Sequence, residues 1–238
     1  MVSYLLEIMD QRDIARLYAK FQSPIAALDC GDKCSPHNVR GIPFCCDTAH
    51  MVPTAYQSEW DFLRTHTDLW HQWQGADDAD TNLLRNITPD GQLLIECNGH
   101  LLCQRGFRSI SCRAFPFFPY HSSDGTFLGL SYYWEYEDRC WVISNLGIIS
   151  DAYFREFISS YEIVLNSFPD EERNFIYHSH LMRKIYHKLR RAVVLLHKNG
   201  RFYKISPHNE RKRRVSAEQL PKYGIYKLSA YLPFPDEL

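Results

Sequence analysis

The sequence predicts an α+β fold: a loop-rich, metal-stabilised cysteine-cluster domain with flanking helices. Three observations lead there. All eight cysteines fall between Cys30 and Cys140, within 111 of the 238 residues, and the other 127 residues have none. Helical periodicity marks stretches on both sides of that span. Residues 30–53, where the cysteines begin, are rich in Gly, Pro and Asn, which read as loop.

The elements follow in order. Ile14, Leu17, Tyr18 and Phe21 recur at helical spacing and predict a helix over 10–21. Pro24–Leu28 is short and apolar and predicts a strand leading to Cys30. Trp60, Leu63 and Trp70 favour one face of a helix over 58–73. Gly75–Asp80 is polar and acidic and predicts a mobile loop. Pro89-Asp90-Gly91 is a turn signal, and Leu93–Cys97 after it reads as a strand. Gly99-His100 is a second turn that lets Cys97 and Cys103 face each other. Phe127–Tyr136 reads as a strand. Helices are expected over 150–168 and 170–198, a strand over 202–205, a basic loop over 210–214 and a last strand over 225–228. Three regions result: an N-terminal helix (1–22), a cysteine-cluster domain (23–145) and a helical, basic C-terminal region packed on it (146–238).

Composition bounds the function. Hydrophobic residues make up 45% and charged residues 23%, ordinary globular values that exclude wholesale disorder. No run of 18 apolar residues exists, so no membrane span is expected. Met1–Ile8 has no basic n-region and soon meets Asp10, Arg12 and Asp13, so it does not read as a signal peptide. Pro235–Leu238 echoes an ER-retention tail, which carries little weight without such a peptide. A cytoplasmic protein is expected, and there clustered cysteines bind metal more often than they form disulfides.

The charge is divided. Residues 1–172 hold 12 Lys/Arg against 24 Asp/Glu, whereas residues 173–227 hold 15 against 2. Two such halves attract each other or face different partners.

The cysteine spacings are C-x3-C (Cys30, Cys34), an adjacent pair (Cys45, Cys46) and C-x5-C (Cys97, Cys103), followed by Cys112 and Cys140. The C-x2-C of an ordinary zinc ribbon or finger is absent. Adjacent residues of an extended segment point to opposite faces. Cys45 and Cys46 would then serve two sites, or one site plus a packing or redox role. Eight thiolates match two four-cysteine sites by count, and thiolate suits zinc and iron–sulfur clusters alike. Buried inert cysteine is the bland alternative, and a doublet among loop residues fits it poorly.

These residues resemble the YkgJ-type CxxCxxCC family of zinc- or iron-chelating domains. The resemblance rests on Cys30-x3-Cys34, Cys45-Cys46, Cys97-x5-Cys103 and, most specifically, Ser111-Cys112-Arg113-Ala114-Phe115-Pro116-Phe117 with Arg108 before it. It covers about residues 30–140. Cys140 matches the late cysteine of longer members, among them flagellin lysine-N-methylase. Ten residues separate Cys34 from Cys45, more than is usual in the family. The resemblance implies a bound zinc ion or iron–sulfur centre; most members have no assigned reaction.

Arg108 and Arg113 flank Cys112. They would neutralise an anionic thiolate cluster or hold a substrate carboxylate or phosphate, or else pair with the acidic half. His37 stands where a radical-SAM motif would have its third cysteine. It is a credible accessory ligand, with His50 and His100 as weaker ones. Phe115–Tyr120 reads as core packing and a stiff turn. G-x-G-x-x-G, Walker A and G-x-S-x-G motifs are absent, which argues against a standard Rossmann methyltransferase.

Over 176–198, Leu181, Ile185, Leu189, Ala192 and Leu196 make one apolar face, with Met182 and Val193. His180, Lys184, His187 and Arg191 make a basic one. Arg211–Arg214 adds a basic run. A solvated face explains these charges more simply than nucleic-acid binding, because no recognisable module accompanies them. Two functions from different classes stay open. One is a non-enzymatic metal-binding protein. The other is a cluster-dependent modifying enzyme, such as a lysine N-methyltransferase, using S-adenosylmethionine on a substrate protein. Iron–sulfur redox transfer is a third.

Overall fold

Asp10 opens the first helix. Its carboxylate accepts the backbone N–H groups of Arg12 and Asp13 at 2.7 and 3.0 Å, and Asp13 accepts the Asp10 N–H in return. The structure, a computed structural model, describes residues 9–76 and 78–227. Its elements in chain order are α1 (Gln11–Lys20), α2 (Gly31–Cys34), β1 (Thr54–Tyr56), α3 (Gln57–His66), β2 (Trp70–Gln72), α4 (Ala79–Ile87), β3 (Gln92–Cys97), α5 (Ile110–Ala114), β4 (Phe117–His121), β5 (Phe127–Tyr132), α6 (Asp151–Ser167), α7 (Pro169–Lys188), β6 (Val193–His197), β7 (Arg201–Ile205) and β8 (Lys212–Arg214). The α+β character expected from the sequence is present.

The chain forms two interleaved units. The first takes the described residues up to Ser23, then Cys45–Phe115 and Arg155–Asn174. The second takes Pro24–Phe44, Pro116–Phe154 and the described residues from Phe175 on. These limits do not coincide with 22/23 and 145/146.

In the first unit β1, β3 and β2 form an antiparallel sheet with β3 in the middle. Thr54 lies opposite Leu94, and Trp70 opposite Cys97. Ile14, Leu17, Tyr18 and Phe21 are all buried there, as the 3.6-residue period of that stretch predicts.

In the second unit β4-β5-β6-β7-β8 form an antiparallel sheet. All five residues of β4 are buried. Pro119, which lacks an N–H, sits on this edge strand, where no ladder bond is lost. Gly129 of β5 lies opposite His197 of β6, at φ +152°. A side chain there would strike the Leu196 carbonyl oxygen, so the two strands meet this closely only at glycine.

Several expectations need correction. Residues 25–28 are bends, not a strand. The helix expected over 58–73 ends at His66, and Trp70–Gln72 pairs with β3 instead. Part of the expected loop over 75–80 belongs to α4: Asp78 caps that helix, accepting the Thr81 N–H at 2.7 Å; residue 77 lies outside the described residues. The strand expected to run to Tyr136 stops at Tyr132. The helix expected to reach Lys198 ends at Lys188. Arg190 turns the chain at φ +53°, and Val193–Leu196 become a buried strand. A short apolar run at the end of a periodic stretch fits either state, and sheet pairing decides it. The C-terminal region is therefore not wholly helical. Lys212–Arg214 is an exposed edge strand rather than a loop. Gly224–Lys227 is a 3-10 turn rather than a strand, and Leu228 lies outside the described residues. Phe117–Tyr120 supplies core, as expected of this run, but as strand β4, while Phe115 is half-buried at the end of α5.

Candidate metal centre

The eight cysteines divide between the units: Cys45, Cys46, Cys97, Cys103 and Cys112 in the first, and Cys30, Cys34 and Cys140 in the second. All eight are thiols in the structure.

In the first unit, three segments bring thiols together. Cys97 ends β3. A 3-10 turn, His100–Leu102, follows, and Cys103 donates its N–H to the His100 carbonyl at 3.3 Å. Phe44–Cys46 is another 3-10 turn, and the Cys45 and Cys46 Sγ atoms lie 4.0 Å apart. The pair therefore does not point to opposite faces, because the backbone is a tight turn and not extended. Two thiolates on one tetrahedral zinc, each at about 2.3 Å, stand about 3.8 Å apart.

Cys112 comes from α5, and the residues around it hold that short helix in place. Ser109 Oγ accepts the Cys112 N–H at 3.2 Å, an N-terminal cap. Ser111 Oγ donates to the Thr54 carbonyl at 2.6 Å and accepts the Thr54 N–H at 3.1 Å, which ties α5 to β1. The Ser-Cys-Arg motif is in this sense a mounting for Cys112. Burial pushes the Cys112 thiol up to about 12; Arg108 draws it down, while Cys46, Cys103 and Cys97 push it further up. Cys97 is raised too, by burial first and then by Cys46 and Cys103. Cys46, Cys97 and Cys103 thus lie near enough to Cys112 to bear on its charge, and Arg108 lies beside Cys112. The Arg108 Nε–H is buried and has no hydrogen-bond acceptor.

Arg113 has a different role. Its guanidinium donates to the carbonyls of Arg108 at 2.7 Å and Gly106 at 2.5 Å, and also to that of Phe21. It lies 4.2 Å from the centroid of the Tyr18 ring. Arg113 is a clamp on the 106–113 segment and on the end of α1. Beside it, Glu59 is fully buried and accepts from Tyr18 Oη and from the Ile110 N–H, both at 2.6 Å. The sequence reading missed Glu59, since nothing local distinguishes it from a helix-surface glutamate.

In the second unit, Cys30 and Cys34 bracket α2, and Cys34 is buried. Cys140 donates its N–H to the Tyr136 carbonyl at 2.8 Å. Burial pushes its thiol up to about 12, and the charges of Cys30 and Cys34 add to this. Tyr226, buried, lies beside Cys34 and Cys140, raised first by its burial and then by those two thiols. Its ring meets that of His37 edge-on at 5.8 Å.

Among the described residues, no three His, Cys, Asp or Glu side chains already stand grouped to hold a metal ion. Metal binding by thiols requires them to lose their protons, so ligation is coupled to deprotonation. In donor type and number, Cys46, Cys97, Cys103 and Cys112 fit a zinc ion or an iron–sulfur cluster, and Arg108 supplies a buried donor for an anionic sulfur. His100 opens the turn before Cys103, and His50 donates its backbone N–H to the Asp47 carbonyl at 2.8 Å.

The basic face expected over 180–191 is not continuous. Arg191 forms a bidentate pair with Glu137 at 2.8 and 2.5 Å. Of the expected apolar face, Met182, Val193 and Leu196 are buried, the last two on β6, whereas Leu189 is 55% exposed; the helix also buries Phe175, Ser179, Arg183 and Tyr186. No helix among the described residues is long and apolar enough to cross a membrane. Comparison with protein-family models, curated proteins and solved structures finds no match to this chain.

Proposed function

We propose that this chain is a metal-binding protein of the cysteine-cluster class. Its principal centre is held by Cys46, Cys97, Cys103 and Cys112, with zinc or an iron–sulfur cluster as the bound group. One observation carries the reading: Cys46, Cys97 and Cys103 lie close enough to bear on the Cys112 thiol, and beside Cys112 stands Arg108, whose buried Nε–H lacks an acceptor. Four thiolates on a zinc ion leave a net charge of −2, and a buried guanidinium offsets part of it. The resemblance of Ser111–Phe117 and its preceding cysteines to the YkgJ-type pattern supports the same reading.

The role this arrangement supports best is structural. Cys97, Cys103 and Cys112 come from short elements joined by turns, and metal ligation stabilises such loop-rich segments by closing them. The test is the metal and acid-labile sulfide content, with the visible spectrum, of full-length protein purified without oxygen. Zinc in a colourless protein supports the structural role. Iron with equimolar sulfide and a brown chromophore supports a cluster, and turns attention to redox or methylase chemistry with S-adenosylmethionine. Folded protein without metal overturns the reading.

A further inference from the structure

Six cations and one acid lie between Arg201 and Arg214. The acid, Glu210, is already engaged: it pairs with Arg183 at 3.4 Å and accepts the Ser123 N–H at 3.0 Å. Arg201, Lys212, Arg213 and Arg214 are exposed, and among the described residues none of them pairs with an acid.

A basic run in isolation reads as a solvated face. The sheet register adds what the run lacks. Residues directly opposite each other in an antiparallel pair share a face, as do residues two apart in one strand. His197 lies opposite Arg201, Tyr203 opposite Arg214, and Ile205 opposite Lys212. His197, Arg201, Tyr203, Lys212 and Arg214 therefore share one face. The His197 and Tyr203 rings meet edge-on at 5.5 Å, and Lys212 lies close enough to add to the burial that lowers the His197 imidazole. Asn199 Nδ2 donates to Tyr203 Oη at 3.0 Å and holds that ring in place. β8 is the last strand of its sheet, and its outer edge is open among the described residues.

Cations on an edge strand also deter edge-to-edge pairing. That role explains Lys212–Arg214. It does not explain Arg201, one strand inward, or the two rings set among the cations. Three of the four unpaired cations are arginines, whose guanidinium fits phosphate oxygens two at a time. A lipid surface calls for exposed apolar side chains beside the charge. The large apolar side chains that stay exposed among the described residues include none between 190 and 224. Single-stranded nucleic acid is a polyanion that also offers a π-face to an aromatic ring.

We infer that the β7–β8 face and the open edge of β8 bind single-stranded nucleic acid, with backbone phosphates on Arg201, Lys212 and Arg214 and a base stacked on Tyr203. This site lies within the second unit and does not depend on the metal reading.

Fluorescence anisotropy of a labelled single-stranded oligonucleotide of about 12 nucleotides, titrated with full-length protein, tests this. Affinity is expected to fall about twenty-fold from about 50 to about 200 mM salt, the dependence for three phosphates on a single strand. Arg201→Gln and Arg214→Gln should each reduce the salt slope by about 0.7. Tyr203→Leu should weaken binding about tenfold, while Tyr203→Phe keeps it. Arg12→Gln, which removes an exposed cation of α1, should change nothing. Should Tyr203→Leu fail to fold, the two arginine variants decide, because their side chains are exposed. Equal losses in R12Q and R214Q would overturn the site, as would full affinity in folded Y203L or no binding by wild type. Tighter binding of the same sequence as a duplex, of phosphatidylserine vesicles or of a polyglutamate peptide would overturn it as well.

Discussion

Glu59 accepts the backbone N–H of Ile110 at 2.6 Å, and Ile110 is the first residue of the helix that carries Cys112. The same carboxylate accepts from Tyr18 Oη and the Tyr56 N–H, so one fully buried acid joins α1, α3 and α5. Glu59→Gln replaces one acceptor oxygen with a donor facing donors. It is expected to cost about 1–3 kcal/mol in urea unfolding.

The pH dependence of Glu59 has a definite sign. Burial pushes its carboxyl up to about 7 from an ordinary 4.5, against the pull of its three donors and Arg113. A raised acid favours the folded state fully below the unfolded value, and that contribution is lost as pH rises through about 7. Unfolding of the Gln variant between pH 4.5 and 7 is expected to lack this loss.

Arg108 and Arg113 are expected to separate cleanly. Arg113→Met strips the donors from three carbonyls and is expected to lower stability by about 3 kcal/mol or more in thermal or urea unfolding. Arg108→Met is expected to change the stability of the metal-free protein by less than about 1 kcal/mol. It should weaken metal retention about tenfold or more in competition with a chelator, as loss of a group supporting a metal site does. Equal losses of stability in the two variants would remove the distinction.

Two histidines of the second unit act in the direction opposite to Glu59. His121 is fully buried, bonded through Nδ1 to the Pro119 carbonyl at 3.1 Å, and Arg183 and Lys198 lie near it. His178 is stacked on Trp134, with ring centroids 4.5 Å apart. Neither Nε2 has a partner, and burial brings both imidazoles down to about 4 from 6.5. Depressed histidines leave stability intact above about 6.5 and remove it as pH falls toward 4, by about 1–3 kcal/mol each. His178→Phe is expected to flatten the acid limb of the stability profile; an unchanged limb would contradict this.

Gly129→Ala is expected to cost about 1–3 kcal/mol through β5–β6 pairing. Gly106→Ala, where nothing stands near the new methyl group, is expected to stay within about 0.5 kcal/mol. Thermal unfolding of the two variants checks the contrast.

What the sequence disclosed follows physical range. The helix over 10–21 was legible because its cap, its periodicity and its end are all local. The strand at 93–97 was legible because a Pro-Asp-Gly turn precedes it. Val193–Leu196 was not, because pairing on both edges decides its state: Leu195 lies opposite Tyr203 across a hairpin, and Leu196 opposite Leu130, distant in the chain. The crowding of cysteines was plain from spacing. Their division was not, because it follows the interleaving of two units, and no spacing encodes that. The tight turn at Phe44–Cys46 defeated the argument from alternation. Arg113 and Glu59 look like surface charges in their own segments, and only Tyr18, Tyr56 and the 106–110 backbone show otherwise.

The most direct test of the central claim is residue-resolved alkylation of the native thiols, read by mass spectrometry before and after metal is stripped. Cys103 is exposed, whereas Cys46, Cys97 and Cys112 are half-buried. Burial alone would therefore leave Cys103 reactive and protect the other three more strongly. A shared metal protects all four alike. The account expects Cys46, Cys97, Cys103 and Cys112 to resist alkylation together and to become reactive together once the metal is removed. Rapid alkylation of Cys103 in the untreated protein, while Cys112 stays protected with or without metal, would contradict it.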